Sequence, residues 1–238
     1  MHGMLKDTRE LSYSVRRLAV TVLSLAALGG AIVKPAQADD SGTLQSGVYT
    51  LRTDPNSQLD SRKVYLAVDQ GEVSGYFDNP YTQPARNVPD LDPTCRFLLH
   101  GSVSDGTHIV LQSSYPEKES GKSESGGTLT LTKNDRGWEV TVNGDLPNCE
   151  VATVSDGETL TLSKVQPDWR GFGYVAVAKA PLYTSASERA KSAAYLVRYD
   201  PVAVLRQSGQ PGWLYAEYLN ARKGVLKRWM KSSDVQEK

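Results

Sequence analysis

Short alternations of apolar and polar residues, separated by turn residues, dominate the chain between residues 47 and 165. Alternation with period two is typical of a strand that has one buried and one exposed face. Turn signals such as Asp69-Gln70-Gly71 and Asp105-Gly106 separate the runs. We predict strands at 48–51, 64–68, 73–77, 97–103, 108–111, 128–132, 138–142 and 159–162. The pattern indicates an antiparallel β domain, either a sandwich or a small closed barrel.

Two long loops are predicted within this domain. Residues 79–93 contain four prolines, which exclude a strand, and Tyr81 and Asn87 lie between them. This stiff loop either presents Tyr81 and Asn87 to a ligand or only closes one end of the domain. Residues 116–127 are rich in Glu, Lys, Ser and Gly, so we expect a solvated loop there.

A second domain is predicted from residue 166 to residue 238, after the turn-forming segment Gln166-Pro167-Asp168-Trp169-Arg170-Gly171. Its pattern gives five short strands, at 174–178, 194–199, 202–206, 213–219 and 225–230. Residues 232–235 could close the domain with a short helical turn. The predicted fold class is therefore all-β, with domains at 39–165 and 166–238.

The first 38 residues have the three parts of a cleavable signal peptide. A basic segment ends at Arg16-Arg17, a mainly apolar run follows, and Ala36-Gln37-Ala38 matches the A-x-A cleavage pattern. The run is shorter than the ~20 residues of a membrane-spanning helix, so we expect no transmembrane anchor after cleavage. This segment predicts export, most simply to the periplasm.

The charge balance argues against a nucleic-acid partner. Loss of residues 1–38 removes five basic and two acidic residues, which leaves 22 basic and 25 acidic residues, a net charge of −3. Nucleic-acid-binding proteins carry a basic patch or stripe, and this balance provides none.

Both cysteines, Cys95 and Cys149, belong to the predicted exported chain. An even number of cysteines in an exported chain favours a disulfide, and neither cysteine lies in a metal-binding or redox motif. The bridge would pin the end of the 79–93 loop.

The C-terminal domain resembles a bacterial Src-homology-3-like (SH3-like, SH3b-type) domain. Three segments carry the resemblance: Ala180-Pro181-Leu182-Tyr183, Gly212-Trp213-Leu214-Tyr215-Ala216-Glu217-Tyr218, and Arg228-Trp229-Met230-Lys231-Ser232-Ser233-Asp234-Val235. The resemblance covers residues 172–236 and implies a five-stranded barrel that serves as a binding module for cell-wall peptides or a partner protein.

Aromatic side chains in these segments are the candidate binding residues: Tyr183, Trp213, Tyr215, Tyr218 and Trp229. Successive side chains of a strand point to opposite faces, which puts Trp213 and Tyr215 on one face and Tyr218 on the other. At most three of the five should line a groove, and the others belong to the core.

The chain lacks a recognisable catalytic or metal-binding set. His100 and His108 flank a predicted turn, but no third ligand follows at a recognisable spacing. Neither a nucleophile elbow nor a phosphate-binding loop is present. We predict a protein that is not an enzyme and uses no cofactor or metal.

These features predict an exported binding protein of the bacterial cell envelope that contacts peptidoglycan or an envelope protein. The alternative is a periplasmic inhibitor or immunity protein, in which the stiff 79–93 loop plugs the cleft of a wall-degrading enzyme.

Overall fold

A computed structural model describes residues 43–52, 62–79, 95–116, 123–147, 149, 154–207, 209–219 and 224–237. Its elements are strands and short 3₁₀ turns, which confirms the all-β prediction. The predicted signal peptide lies outside the described residues, and so do Tyr81 and Asn87. None of the described residues forms a helix that is long and apolar enough to span a membrane.

Eight antiparallel strands form a closed barrel in which each strand pairs with the next and β1 pairs with β8. The structure therefore selects the barrel from the two predicted alternatives. The strands are β1 Gly47–Arg52, β2 Lys63–Asp69, β3 Glu72–Asp78, β4 Arg96–Val103, β5 His108–Pro116, β6 Ser123–Asn134, β7 Gly137–Asn143 and β8 Thr159–Val165.

The prediction of a loop at residues 116–127 is wrong at both ends, because strands occupy residue 116 and residues 123–127. Strand β5 continues to Pro116 and β6 begins at Ser123, with Tyr115 paired to Glu124. The ladder of backbone hydrogen bonds continues here although β6 begins with the polar residues 123–125, because pairing requires only the backbone groups. The hydrophobic pattern could not reveal this extension.

Alternate side chains of the barrel strands fill its interior, as the period of a strand requires. This barrel core includes Tyr49, Phe77, Phe97 and Trp138, each at most 3% exposed. The rings of Phe77 and Phe97 stack with centroids 4.7 Å apart.

A disulfide bond crosslinks the residue that precedes β4 and a residue that follows β7. Cys95 and Cys149 form a disulfide with their Cα atoms 4.9 Å apart, which confirms the predicted pair. On the loop of 54 positions that separates them, such a bond contributes about 4 kcal/mol in the chain-entropy model.

The rest of the described chain forms a curled antiparallel sheet of seven strands in the order β11-β10-β14-β13-β12-β9-β15. The strands are β9 Trp169–Val175, β10 Lys179–Tyr183, β11 Lys191–Val197, β12 Pro201–Leu205, β13 Trp213–Tyr218, β14 Leu226–Lys231 and β15 Val235–Glu237.

Four of these strands, β11 to β14, correspond to predicted ones, and β10 and β15 are additional. Strand β9 begins at Trp169, within the segment predicted as a turn, and shares only Tyr174 and Val175 with the strand predicted at 174–178. Proline cannot donate a backbone hydrogen bond, which disfavours a strand at Pro181. Strand β10 nevertheless forms, with Pro181 opposite Tyr195 in the ladder and Ala180 and Leu182 buried in the sheet core. The predicted closing turn is present as a 3₁₀ turn, Ser232–Asp234.

One face of the curled sheet encloses its own apolar cluster, here called the sheet core. Its members are Val175, Ala180, Leu182, Leu196, Val202, Val204, Leu214, Ala216, Met230 and Val235. Each strand contributes alternate residues, so its remaining side chains point away from the sheet core.

The barrel and the sheet share a third apolar cluster, here called the junction cluster. Tyr65, Ala67, Tyr76 and Leu98 point outward from the barrel and pack against β9 and β12 of the sheet. On the sheet side the cluster contains Trp169, Phe172, Tyr174, Ala203 and Leu205.

Polar contacts reinforce this junction. The backbone N–H of Phe172 donates to the buried Ser74 hydroxyl at 3.0 Å. The side chain of Arg206 binds Asp69 and donates to the carbonyl oxygen of Val68 at 3.2 Å. The boundary predicted at residue 166 falls between β8 and β9, and buried contacts join the two sides.

Candidate functional site

A row of aromatic side chains crosses the face of the sheet that points away from the sheet core. Strand register places Tyr183 of β10 opposite Trp229 of β14, and Trp229 opposite Tyr215 of β13. Trp213 is two residues before Tyr215 on β13 and therefore points to the same face. We call Tyr183, Trp213, Tyr215 and Trp229 the aromatic row.

The rings of the row contact one another in two pairs. Tyr183 and Trp213 meet edge to face, with centroids 4.8 Å apart and planes at 87°. Tyr215 and Trp229 lie 5.2 Å apart with their planes tilted by 43°. Such pairs favour a fixed ring arrangement over independent rotamers.

The row is half-buried. Tyr183 is 2% exposed, whereas Trp213, Tyr215 and Trp229 each keep part of their surface in contact with solvent. Tyr215 also packs against the junction cluster, so one end of the row is anchored where the barrel covers the sheet. Three amphipathic rings remain partly open to a ligand.

A network of charged side chains contacts Tyr183, the buried member of the row. The hydroxyl of Tyr183 donates to Glu188 at 3.4 Å, and Lys231 pairs with Glu188 at 2.6 Å. Burial raises the pKa of Tyr183, and the hydrogen bond from Lys231 lowers the pKa of Glu188. Burial therefore favours the neutral phenol of Tyr183, and the hydrogen bond to Glu188 orients its hydroxyl.

Tyr218 points the other way. It packs against the sheet core, and its hydroxyl donates to Asp200 at 3.2 Å. Alternation along β13 predicts this separation of Tyr218 from Trp213 and Tyr215, and the structure shows it. Of the five aromatic candidates in this domain, the structure brings four together and separates Tyr218, while the candidates Tyr81 and Asn87 lie outside the described residues.

The sequence analysis missed Tyr195 on the edge strand β11. Tyr195 is 50% exposed, and the ammonium group of Lys179 lies 4.0 Å from the centre of its ring. Neighbouring Val197 is 47% exposed. Edge strands commonly carry charged side chains, whereas β11 exposes an aromatic and an apolar side chain. That unusual composition was the sequence feature that could have identified Tyr195 as a candidate.

The two histidines lie on the outer face of the barrel. His100 is opposite Gln112, and His108 is opposite Thr132, with 3.4 Å between His108 Nδ1 and the Thr132 hydroxyl. Within the described residues, no three His, Cys, Asp or Glu side chains form a group that could hold a metal ion. The absence of a metal and of catalysis in the whole chain stays a prediction.

Comparison with known proteins identifies no relative: no family model, curated protein or solved structure matches the chain. The resemblance to SH3-like domains therefore stays a prediction that depends on the three sequence segments and on the aromatic row.

Proposed function

We propose that this chain is an exported, non-enzymatic binding protein of the bacterial cell envelope, and that its aromatic row contacts cell-wall peptidoglycan. The observation that carries the proposal is the contiguous set of partly exposed rings of Trp213, Tyr215 and Trp229 on one face of the sheet. Tyr and Trp present an apolar ring and a polar tip, which suits a surface that is both apolar and wet.

Two further features support the location. The signal-like pattern of residues 1–38 favours export. The disulfide between Cys95 and Cys149 is of the kind that persists in an oxidising compartment such as the periplasm.

The chemistry of peptidoglycan fits the row. Sugar rings expose apolar C–H faces that pack on aromatic rings, and their hydroxyls can bond to Tyr hydroxyls and the Trp N–H. The near-neutral surface charge makes a purely electrostatic attachment to an anionic polymer a poorer explanation.

A sedimentation assay with purified peptidoglycan tests the proposal. We expect the protein to co-sediment, and Trp213→Ala and Trp229→Ala each to weaken binding about thirtyfold, because a partly exposed aromatic anchor often contributes about 2 kcal/mol. Val110→Ala is the matched control, since Val110 is a 48% exposed apolar residue on the barrel.

Two results would count against the proposal. Wild-type retention of both tryptophan variants would remove the row from the site. Failure of the unaltered protein to sediment would instead favour a protein partner, including the enzyme that the inhibitor hypothesis requires.

A further inference from the structure

A pocket of about 220 Å³ lies beside the junction of barrel and sheet. Its walls are mainly apolar and include Tyr65, Trp169, Tyr218, Leu219 and Val225. Val225 is 66% exposed, the most exposed large apolar side chain of the described residues. The volume is below the ~300–1,000 Å³ of a typical drug-sized site, so it suits a short chain or a single functional group.

A buried carboxylate belongs to the wall of this pocket. Glu217 of β13 is 6% exposed. Its Oε2 atom accepts from the indole N–H of Trp169 at 3.2 Å and faces the ammonium of Lys227 at 3.4 Å. No described residue donates a hydrogen bond to its Oε1 atom.

The charge of Glu217 is therefore only partly compensated. A strong hydrogen bond between an ammonium and a carboxylate measures about 2.7–2.9 Å, shorter than the contact with Lys227. The side chain of Lys227 is also one-third exposed, so water screens its charge. The Oε1 atom retains contact with solvent, so a cation that enters the pocket can reach it.

We propose that this pocket binds a primary ammonium group carried on a short alkyl chain, of the kind found at the end of a lysine side chain. Glu217 Oε1 would accept a hydrogen bond from the ammonium, while Tyr65, Leu219 and Val225 cover the alkyl chain. Aromatic rings beside the carboxylate add attraction for a cation.

The site is separate from the aromatic row. Glu217 follows Tyr215 by two residues and points to the same face of β13, but no member of the aromatic row lines the pocket. Binding of an ammonium ligand therefore does not depend on the proposed contact with peptidoglycan. Lys164 also lines the pocket, and its charge would repel a cationic ligand. Removing that charge by substituting Lys164 therefore provides a second control.

Titration with n-butylammonium, observed by the indole N–H resonance of Trp169 in NMR spectra, tests this inference. We expect a saturable shift with n-butylammonium and none with 1-butanol or butyrate, which lack the positive charge. Glu217→Gln should weaken binding at least tenfold, and Lys164→Gln should strengthen it a few-fold by removing a like charge.

Equal shifts with 1-butanol, or undiminished binding by Glu217→Gln, would overturn the proposal. If Glu217→Gln does not fold, Lys227→Gln decides: removing the competing ammonium should tighten binding, and unchanged affinity would contradict the site. Trp213→Ala should leave n-butylammonium binding intact, so this result is independent of the outcome with peptidoglycan.

Discussion

Tyr49 of β1 shows how the environment of one residue sets its chemistry. The side chain is 2% exposed in the barrel core. Its hydroxyl donates to the carbonyl oxygen of Gln45 at 2.8 Å and accepts from the N–H of Gln45 at 3.1 Å. Burial raises the pKa of Tyr49 to about 12, because the ionised form would lose its hydration.

The protein should therefore lose stability in alkali. Unfolded tyrosine ionises near pH 10, whereas folded Tyr49 stays neutral to about pH 12. Its contribution is fully present below pH 10 and declines as pH rises from there to about 12, by roughly 2–3 kcal/mol. Urea unfolding across this range should show the decline, and Tyr49→Phe should reduce it without abolishing it, because burial also raises the pKa of Tyr65 to about 12. Parallel curves for the two proteins would contradict the expectation.

At the scale of an element, the hairpin between β2 and β3 shows how a tight turn restricts which residues fit it. Gln70 has φ 53° and Gly71 has φ 86°, so both turn residues are left-handed, as a type I′ turn requires. Glycine adopts this conformation without strain, but glutamine does so at a cost. The turn fixes the register in which Val68 pairs with Val73.

Substitutions in this turn should change stability in opposite directions. Gln70→Asn should stabilise the protein by about 0.5–1 kcal/mol, because asparagine tolerates the left-handed region. Gly71→Ala should destabilise it by about 1 kcal/mol, although a Cβ atom there meets nothing within 4 Å, because the cost lies in the backbone alone. Free energies of unfolding from urea titration test both signs, and destabilisation by Gln70→Asn would refute the assignment of strain.

At the scale of the whole molecule, the junction cluster couples the sheet to the barrel. Trp169 is 1% exposed and Phe172 is fully buried, and both pack with the outer side of β2 and β3. An isolated C-terminal segment would expose these rings to water, so binding assays require the intact chain.

A charge placed in the junction should uncouple the two parts. Ala67 is fully buried on the outer face of β2, so Ala67→Glu should cost about 3 kcal/mol or more. Val110→Glu is the matched control, since Val110 is 48% exposed on the same barrel surface. We expect amide hydrogens of β9 and β12 to exchange faster in Ala67→Glu while those of β6 and β7 stay protected. Equal acceleration of exchange in every strand would contradict this expectation, because the barrel and the sheet would then open as one cooperative unit.

The local pattern of the sequence was enough to predict the eight barrel strands and the disulfide, but it missed β10 and β15 of the sheet. All eight barrel strands were predicted, most of them from alternation between core and solvent, as in Thr128 to Thr132, and β2 from a short apolar run bounded by turn residues. The pairing of Cys95 with Cys149 followed from their even number together with the predicted export signal. Alternation along β13 also separated Trp213 and Tyr215 from Tyr218.

Only the tertiary structure determines which strands pair at long range and which residues cover the outer surface of the barrel. Closure of β1 on β8 distinguishes a barrel from a sandwich, and no local pattern encodes it. The uninterrupted apolar run at residues 64–68 was a signal that both faces of β2 are buried, but it could not name Trp169 and Phe172 as the cover. Glu217 acquires its buried partners only when β9, β13 and β14 come together. The physical reason is that burial on a second face and the approach of distant side chains are properties of packing, which a period of two along one strand does not contain.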